Sequence, residues 1–116
     1  MLGAVAGVLW ARPFRARVRG DSMLPTLSDG DVVVALRGLR PRRGDLAVVI
    51  HGGVEMVKRV EVAPGDEAMP GWLLGDDEWL VTGDNREAST DSRSFGPLSG
   101  EAIRAKVVWP RARRGN

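Results

Sequence analysis

Apolar and polar residues alternate along much of this 116-residue chain, which is the spacing of half-buried β-strands. The clearest case begins at Phe14, where every second residue up to Val18 is apolar and the residues between them are arginines. The pattern predicts strands at 14–18, 31–36, 45–50, 54–62, 72–74, 78–82 and 103–109. No long helical period competes with these strands. We therefore expect an all-β fold, a small domain of coiled antiparallel sheets.

Turn residues indicate which strands are neighbours. Gly52-Gly53 lies between two β-branched runs, a spacing typical of a two-residue hairpin. The returning strand then ends at Pro64-Gly65-Asp66. Gly75-Asp76-Asp77 predicts a second hairpin, between the strands at 72–74 and 78–82. The polar stretch that follows, 83–100, is predicted to be an ordered loop.

A chain of this length is expected to form one domain, which we place at 14–110. It lies between an apolar and basic N-terminal segment (1–13) and a basic tail (111–116). Residues 2–10 are apolar, but a membrane-spanning helix needs about 20 such residues. We expect the segment either to be a partial membrane anchor or to pack as an ordinary terminal segment.

Charge and composition restrict the possible partners. The formal net charge is +2 and the excess of basic residues is arginine, clustered at 12–19, 37–43 and 111–114. Such clusters favour an anionic membrane surface, although they also suit a solvated face. The chain has no cysteine and one histidine, His51, so disulfides, thiolate sites and multi-histidine metal centres are excluded. No cofactor and no metal are expected.

Ser22 and Lys58 are the candidates for chemistry. Lys58 is one of only two lysines, with Lys106, beside fifteen arginines. A lysine can act as a base when it is neutral, whereas an arginine cannot lose its proton in a protein. Lys58 shares a strand face with Met56 and Val60, and burial among apolar neighbours lowers the pKa of an amine. The alternative is a lysine that extends to water, which we expect of Lys106.

A third block, 83–93, concentrates short polar and charged side chains. It fits a turn with internal ion pairs, and it also fits a loop that places a hydroxyl against a buried amine. Ser22 itself follows a strand and precedes a turn that contains Pro25. That position exposes a hydroxyl and leaves backbone N–H groups nearby, which an oxyanion hole requires.

The segments that begin at Ser22, Lys58 and Gly83 together resemble the signal peptidase I family of Ser-Lys serine peptidases, over roughly residues 19–109. The resemblance implies that Ser22 is the nucleophile, Lys58 the general base and Ser89 the residue that orients the Lys58 amine. It further implies ion pairs Arg59–Asp84 and Arg93–Asp91, a substrate cleft shaped by Met23 and Pro25, and supporting roles beside the oxyanion for Gly20 and Asp21. Many members carry a serine where this chain has Gly20, so the oxyanion hole would depend mainly on backbone N–H groups.

The resemblance implies a function as well as a site. The family removes signal peptides from exported preproteins after small residues at −1 and −3, which would place this chain at the outer face of the cell membrane, peripheral or weakly anchored. A soluble maturation protease of the same fold, of the nickel superoxide dismutase type, is one alternative, and it would be cytoplasmic. A non-enzymatic basic β-domain that binds an anionic surface is another. We expect no nucleic-acid partner, since aromatic residues do not interleave with the basic ones.

Overall fold

The computed structural model describes residues 12–111 and confirms the predicted all-β fold. Its strands are β1 (Arg12–Arg17), β2 (Val32–Arg37), β3 (Leu46–His51), β4 (Val54–Val62), β5 (Glu67–Met69), β6 (Trp72–Leu73), β7 (Leu80–Thr82) and β8 (Ile103–Trp109). Three helical turns complete the described chain: 3-10 turns at Arg86–Ala88 and Gly100–Ala102, and one α-helical turn, α1 (Ser92–Phe95). The helical turns at 86–88 and 92–95 lie within the stretch that was predicted to be a loop.

Six of the strands form one antiparallel sheet in the order β1-β2-β8-β3-β4-β7. The β3–β4 hairpin closes at Gly52-Gly53, as predicted, and pairs Ala47 with Lys58. Both turn glycines have positive φ, 57° and 78°, which is the conformation of the two-residue turn that suits a twisted hairpin. The hairpin therefore fixes the register that brings Lys58 to its place on the sheet.

The second predicted hairpin is wrong. Strand β6 pairs with β5 across Pro70-Gly71 to form a separate two-stranded sheet, while β7 pairs with β4. Proline followed by a glycine with positive φ makes a tight turn at 70–71. Burial explains the place of β7, because Val81 is fully buried against the main sheet whereas Leu73 of β6 is 63% exposed.

The main sheet is buried on both faces along β3. Val48 belongs to one apolar cluster and its neighbours Ala47 and Val49 to another, and successive side chains of a strand point to opposite faces. This explains the unbroken apolar run in β3. Met23, in the turn after β1, is fully buried in the first cluster. Its side chain anchors that turn to the core.

Residues 1–11 and 112–116 lie outside the described residues, and so do most of the predicted N-terminal segment and basic tail. Strand β1 begins at Arg12, two residues before the predicted start of the domain. Within residues 12–111 no helix has the length and apolar character needed to cross a bilayer.

Replacing Met23 by alanine should destabilise the fold by about 2–5 kcal/mol, because the substitution leaves a cavity at a fully buried site. Met69→Ala is the matched control, since that side chain is 57% exposed and its loss should change the unfolding free energy by less than about 0.5 kcal/mol. Equilibrium urea unfolding measures both. Equal midpoints for the two variants would contradict the anchoring role of Met23.

Candidate active site

Ser22 lies in a tight turn that follows β1. The turn is closed by backbone hydrogen bonds from the Leu24 N–H to the Asp21 carbonyl oxygen (3.2 Å) and from the Leu27 N–H to the Met23 carbonyl oxygen (2.9 Å). Met23 is held in the core, whereas the neighbouring Ser22 is half-buried. Ser22 lies in the wall of a cavity.

That cavity has a volume of about 610 Å³, and it is lined by both Ser22 and Lys58. Its other walls come from the end of β1 and the beginning of β4: Arg15, Ala16, Arg17, Val18 and Arg19 on one side, and Gly53, Val54, Glu55, Met56 and Val57 on the other, with Val48 and Thr90. The structure thus brings the two sequence-predicted residues to one cavity, between two strands.

Lys58 is buried, with 3% of its surface exposed. Its Nζ donates a hydrogen bond to Ser89 Oγ at 3.0 Å. Burial lowers the pKa of Lys58 below the usual lysine value, and the positive charge of Arg93 lowers it further, whereas the carboxylate of Asp91 acts in the opposite direction. The net effect is a lowered pKa, as the apolar neighbours of Lys58 on its strand predicted.

Ser89 is held by Asp91, which is completely buried. Ser89 Oγ donates to Asp91 Oδ2 at 2.7 Å, and the same carboxylate accepts from the Gly83 N–H (2.9 Å) and from the Arg93 side chain (2.7 and 2.9 Å). Burial alone would raise the pKa of Asp91, but these hydrogen bonds outweigh it and hold the pKa well below its ordinary value. Asp91 is therefore an anion, although it has no access to solvent.

The direction of the Ser89 hydroxyl follows from this arrangement. A serine hydroxyl has one hydrogen, and that hydrogen is given to Asp91. Ser89 Oγ can consequently only accept from Lys58 Nζ. The lone pair of a neutral Lys58 amine is then not used by Ser89 and remains available to a proton donor in the cavity.

The ion pair between Arg59 and Asp84 connects the three segments that begin at Ser22, Lys58 and Gly83. Arg59 donates to both oxygens of Asp84 (2.8 and 2.7 Å) and also to the Gly44 carbonyl (2.7 Å), while Thr26 Oγ1 donates to Asp84. Burial opposes the charge on Asp84, yet the hydrogen bonds from Arg59 and Thr26 leave its pKa lowered, and the bond to Asp84 raises the pKa of Arg59. Asp84 thus ties the Ser22 turn to β4.

Sequence reasoning gave no role to three residues that position the site. Asn85 donates its backbone N–H to the backbone carbonyl oxygen of Ser22 (2.8 Å) and its side-chain amide to the backbone carbonyl oxygen of Asp21 (3.0 Å). A Cβ at Gly83 would come within 2.6 Å of the backbone carbonyl oxygen of Ser22 and still closer to the Ser89 side chain. Thr26 is the third residue. Asn85 and Thr26 have small polar side chains and Gly83 has none, and nothing in the local sequence identifies the distant partners of these residues.

The expected substrate cleft needs correction. Met23 has no exposed surface, so it contacts the core and cannot contact a substrate. Pro25 is exposed, but it is not among the residues that line the cavity. The reason is geometric, because the turn that directs Ser22 into the cavity directs its neighbour Met23 into the core.

Hydrogen bonds within the turn limit which backbone donors beside Ser22 an oxyanion could use. The Gly20 N–H donates to Asp29 Oδ1 at 2.7 Å, so it is not free for an oxyanion, and the Asp21 carbonyl accepts from Leu24 and Asn85. Within the described part of the chain the Ser22 N–H has no acceptor. The Ser22 N–H is therefore a donor available beside the hydroxyl.

Two further residues were considered in the sequence. Lys106 is not a plain surface lysine, because it is half-buried and its Nζ lies 3.5 Å from Asp45 Oδ2. His51 ends β3 at the hairpin and stacks on Phe95, with ring centroids 4.0 Å apart. Neither residue lines the cavity. Among residues 12–111 no group of three His, Asp or Glu side chains is placed to hold a metal ion.

Two family models match this chain. The model described as Peptidase S24-like matches residues 11–69, and the one described as Signal peptidase, peptidase S26 matches residues 68–111. Curated relatives include mitochondrial inner membrane protease subunit 1 of Xenopus tropicalis, 33% identical over 78% of this chain and 66% of the relative. Mitochondrial ATP-independent inner membrane protease subunit 1a of Arabidopsis thaliana is 34% identical over 80% of this chain and 68% of the relative.

These matches, together with the coiled antiparallel sheet and its cavity, define the class of protein: an all-β peptidase. More narrowly, the chain belongs to the signal peptidase I-like family. It spans about two thirds of the length of the curated relatives it matches.

Replacing Gly83 by alanine should destabilise the protein by about 1–3 kcal/mol, since the added methyl group overlaps backbone and side-chain atoms of a packed site. Gly75→Ala is the matched control, because there the added atom meets only the flexible end of Glu78 at 3.0 Å. Urea unfolding compares the two variants. A Gly83→Ala protein as stable as Gly75→Ala would show that Ser22 and Ser89 do not approach position 83 as described.

Proposed function

We propose that this chain is a serine endopeptidase in which Ser22 is the nucleophile and Lys58 the general base. The observation that carries the proposal is the buried Lys58 amine, which lines one cavity with Ser22 and donates to a serine whose own hydrogen is given to Asp91. A nucleophilic serine needs an adjacent base, and a desolvated lysine supplies one near neutral pH.

The mechanism begins when neutral Lys58 Nζ takes the proton of Ser22 Oγ as that oxygen attacks the scissile carbonyl carbon. The Ser22 N–H would donate to the oxygen that becomes negative. Protonated Lys58 then gives its proton to the leaving amine, and an acyl-enzyme ester of Ser22 remains. Lys58 next takes a proton from the water that attacks the ester, and it returns that proton to Ser22 Oγ as the carboxylic acid product leaves.

Substrate binding is proposed along two unpaired strand edges. Among the described residues, β1 is the last strand on its side of the sheet, and β4 pairs with β7 only from Arg59 onwards. Both unpaired edges line the cavity, so an extended peptide can hydrogen-bond to them above Ser22. The wall beneath is formed by Ala16 and Val18, which are themselves buried. A shallow wall of this kind favours small substrate side chains at −1 and −3.

The proposed substrates are exported preproteins with a signal peptide. The matched relatives are named as inner membrane proteases, which supports a place of action at a membrane. Exposed arginines at 37, 40, 42 and 43 suit an anionic surface. We propose a peripheral or weakly anchored position at the outer face of the cell membrane, which fractionation of cells that express the full chain would test.

Cleavage of a signal-peptide substrate should depend on Ser22 and Lys58 but not on His51. We expect Ser22→Ala to abolish turnover and Lys58→Arg to lower kcat by at least about 10²–10⁴-fold, because a guanidinium cannot accept the proton. His51→Ala is the control, since this side chain stacks on Phe95 outside the cavity. Initial rates of product formation, measured by mass spectrometry, compare each variant with the wild type. An inactive His51→Ala enzyme beside active Ser22→Ala or Lys58→Arg enzymes would refute the dyad.

The pH dependence of kcat/KM should report the Lys58 amine. Activity needs the neutral amine, so kcat/KM rises with pH through the pKa of Lys58, which burial lowers. Arg93→Gln removes a positive charge that lowers this pKa, so the rise should move to higher pH. Asp91→Asn removes a negative charge that raises it, so the rise should move to lower pH. Shifts of the same sign in both variants would contradict the assignment of the titrating group to Lys58.

A further inference from the structure

One wall of the cavity carries a row of positive charge. Arg15, Arg17 and Arg19 alternate with the buried residues Ala16 and Val18, and all three arginines are exposed and line the cavity. Arg15 and Arg17 lie on the outward face of β1, since successive side chains of a strand point to opposite faces, and Arg19, two residues past the end of β1, is exposed in the same alternation. The row runs along the edge of β1 that has no neighbouring strand among residues 12–111.

These charges are largely uncompensated. Within residues 12–111, Arg15 and Arg19 form no ion pair and no side-chain hydrogen bond, and Arg17 donates only to the Gly30 carbonyl at 3.3 Å. Glu55 is the one carboxylate among the described residues that line the cavity. A concave site with an excess of one charge attracts ligands of the opposite charge.

We propose that this enzyme selects substrates with acidic side chains at the positions that alternate with its small residues. The inference rests on the proposed function. A peptide that adds to the edge of β1 has side chains that alternate between the two faces, so those beside Ala16 and Val18 must be small and those between them lie beside the arginines. With small residues at −1 and −3, the acidic positions are −2 and −4.

The expected effect follows from pairing across strands. Each pair of opposite charges on neighbouring strands favours binding by up to about fivefold, and a pair of like charges opposes it by a similar factor. Two positions changed from glutamate to lysine lose two attractions and add two repulsions, so kcat/KM should fall by between about fourfold and several hundredfold. The contrast should decrease as salt rises, because the side chains are exposed to solvent.

Three peptides that differ only at −2 and −4, with Glu, Gln or Lys at both positions, test the proposal. Wild type should prefer them in the order Glu, Gln, Lys by kcat/KM. The triple variant Arg15→Glu/Arg17→Glu/Arg19→Glu should reverse the order, and the triple variant Arg15→Gln/Arg17→Gln/Arg19→Gln should flatten it. Arg104→Glu is the matched control, since this arginine is exposed on β8 and does not line the cavity, and it should keep the wild-type order.

Binding of the same peptides to Ser22→Ala, measured by fluorescence anisotropy, gives the order without turnover. If cleavage depends on Ser22 but the three peptides have equal kcat/KM values, the charge selectivity is overturned and the proposed function stands. Absence of cleavage together with an affinity order of Glu, Gln, Lys would overturn the proposed function alone. If the arginine variants change only the binding to vesicles of anionic lipid, and not the peptide order, the row serves a membrane surface and the proposal is wrong.

Discussion

The arrangement of the cavity depends on the buried carboxylate of Asp91. It accepts from Gly83, Ser89 and Arg93, which keeps it ionised without contact with solvent. The anion determines which way the Ser89 hydroxyl points, and that hydroxyl in turn determines which part of the Lys58 amine is occupied. A single charge that is fixed by the fold thus sets the hydrogen-bond direction along a chain of three residues.

Packing of the sheet supplies the other constraint. Because the sheet is covered on both faces, the strand that carries Lys58 leaves its amine little access to water. The desolvation that lowers the pKa of this lysine is therefore a consequence of how the core is built. The opposing charges nearby adjust the pKa, and Arg59 with Asp84 fixes the strand against the loop.

Much of the fold could be predicted because five strands, β1 to β4 and β8, are long enough to have a visible period. Strands β6 and β7 have two and three residues, so their partners could not be inferred from alternation. The sequence also could not show whether Met23 faces the substrate or the core, because an apolar residue beside a candidate nucleophile suits both positions. Asn85 and Thr26 act on partners 64 and 58 residues away, and no local pattern encodes such a contact.

These long separations have a consequence for how the molecule matures. The turn that holds Ser22 is fastened by residues that leave the ribosome some sixty positions later, and the amine of Lys58 is oriented by a residue 31 positions further on. Contacts between distant parts of a chain form late in folding. A growing or half-folded copy therefore lacks an assembled centre, and the hydroxyl and the amine meet only in the finished domain.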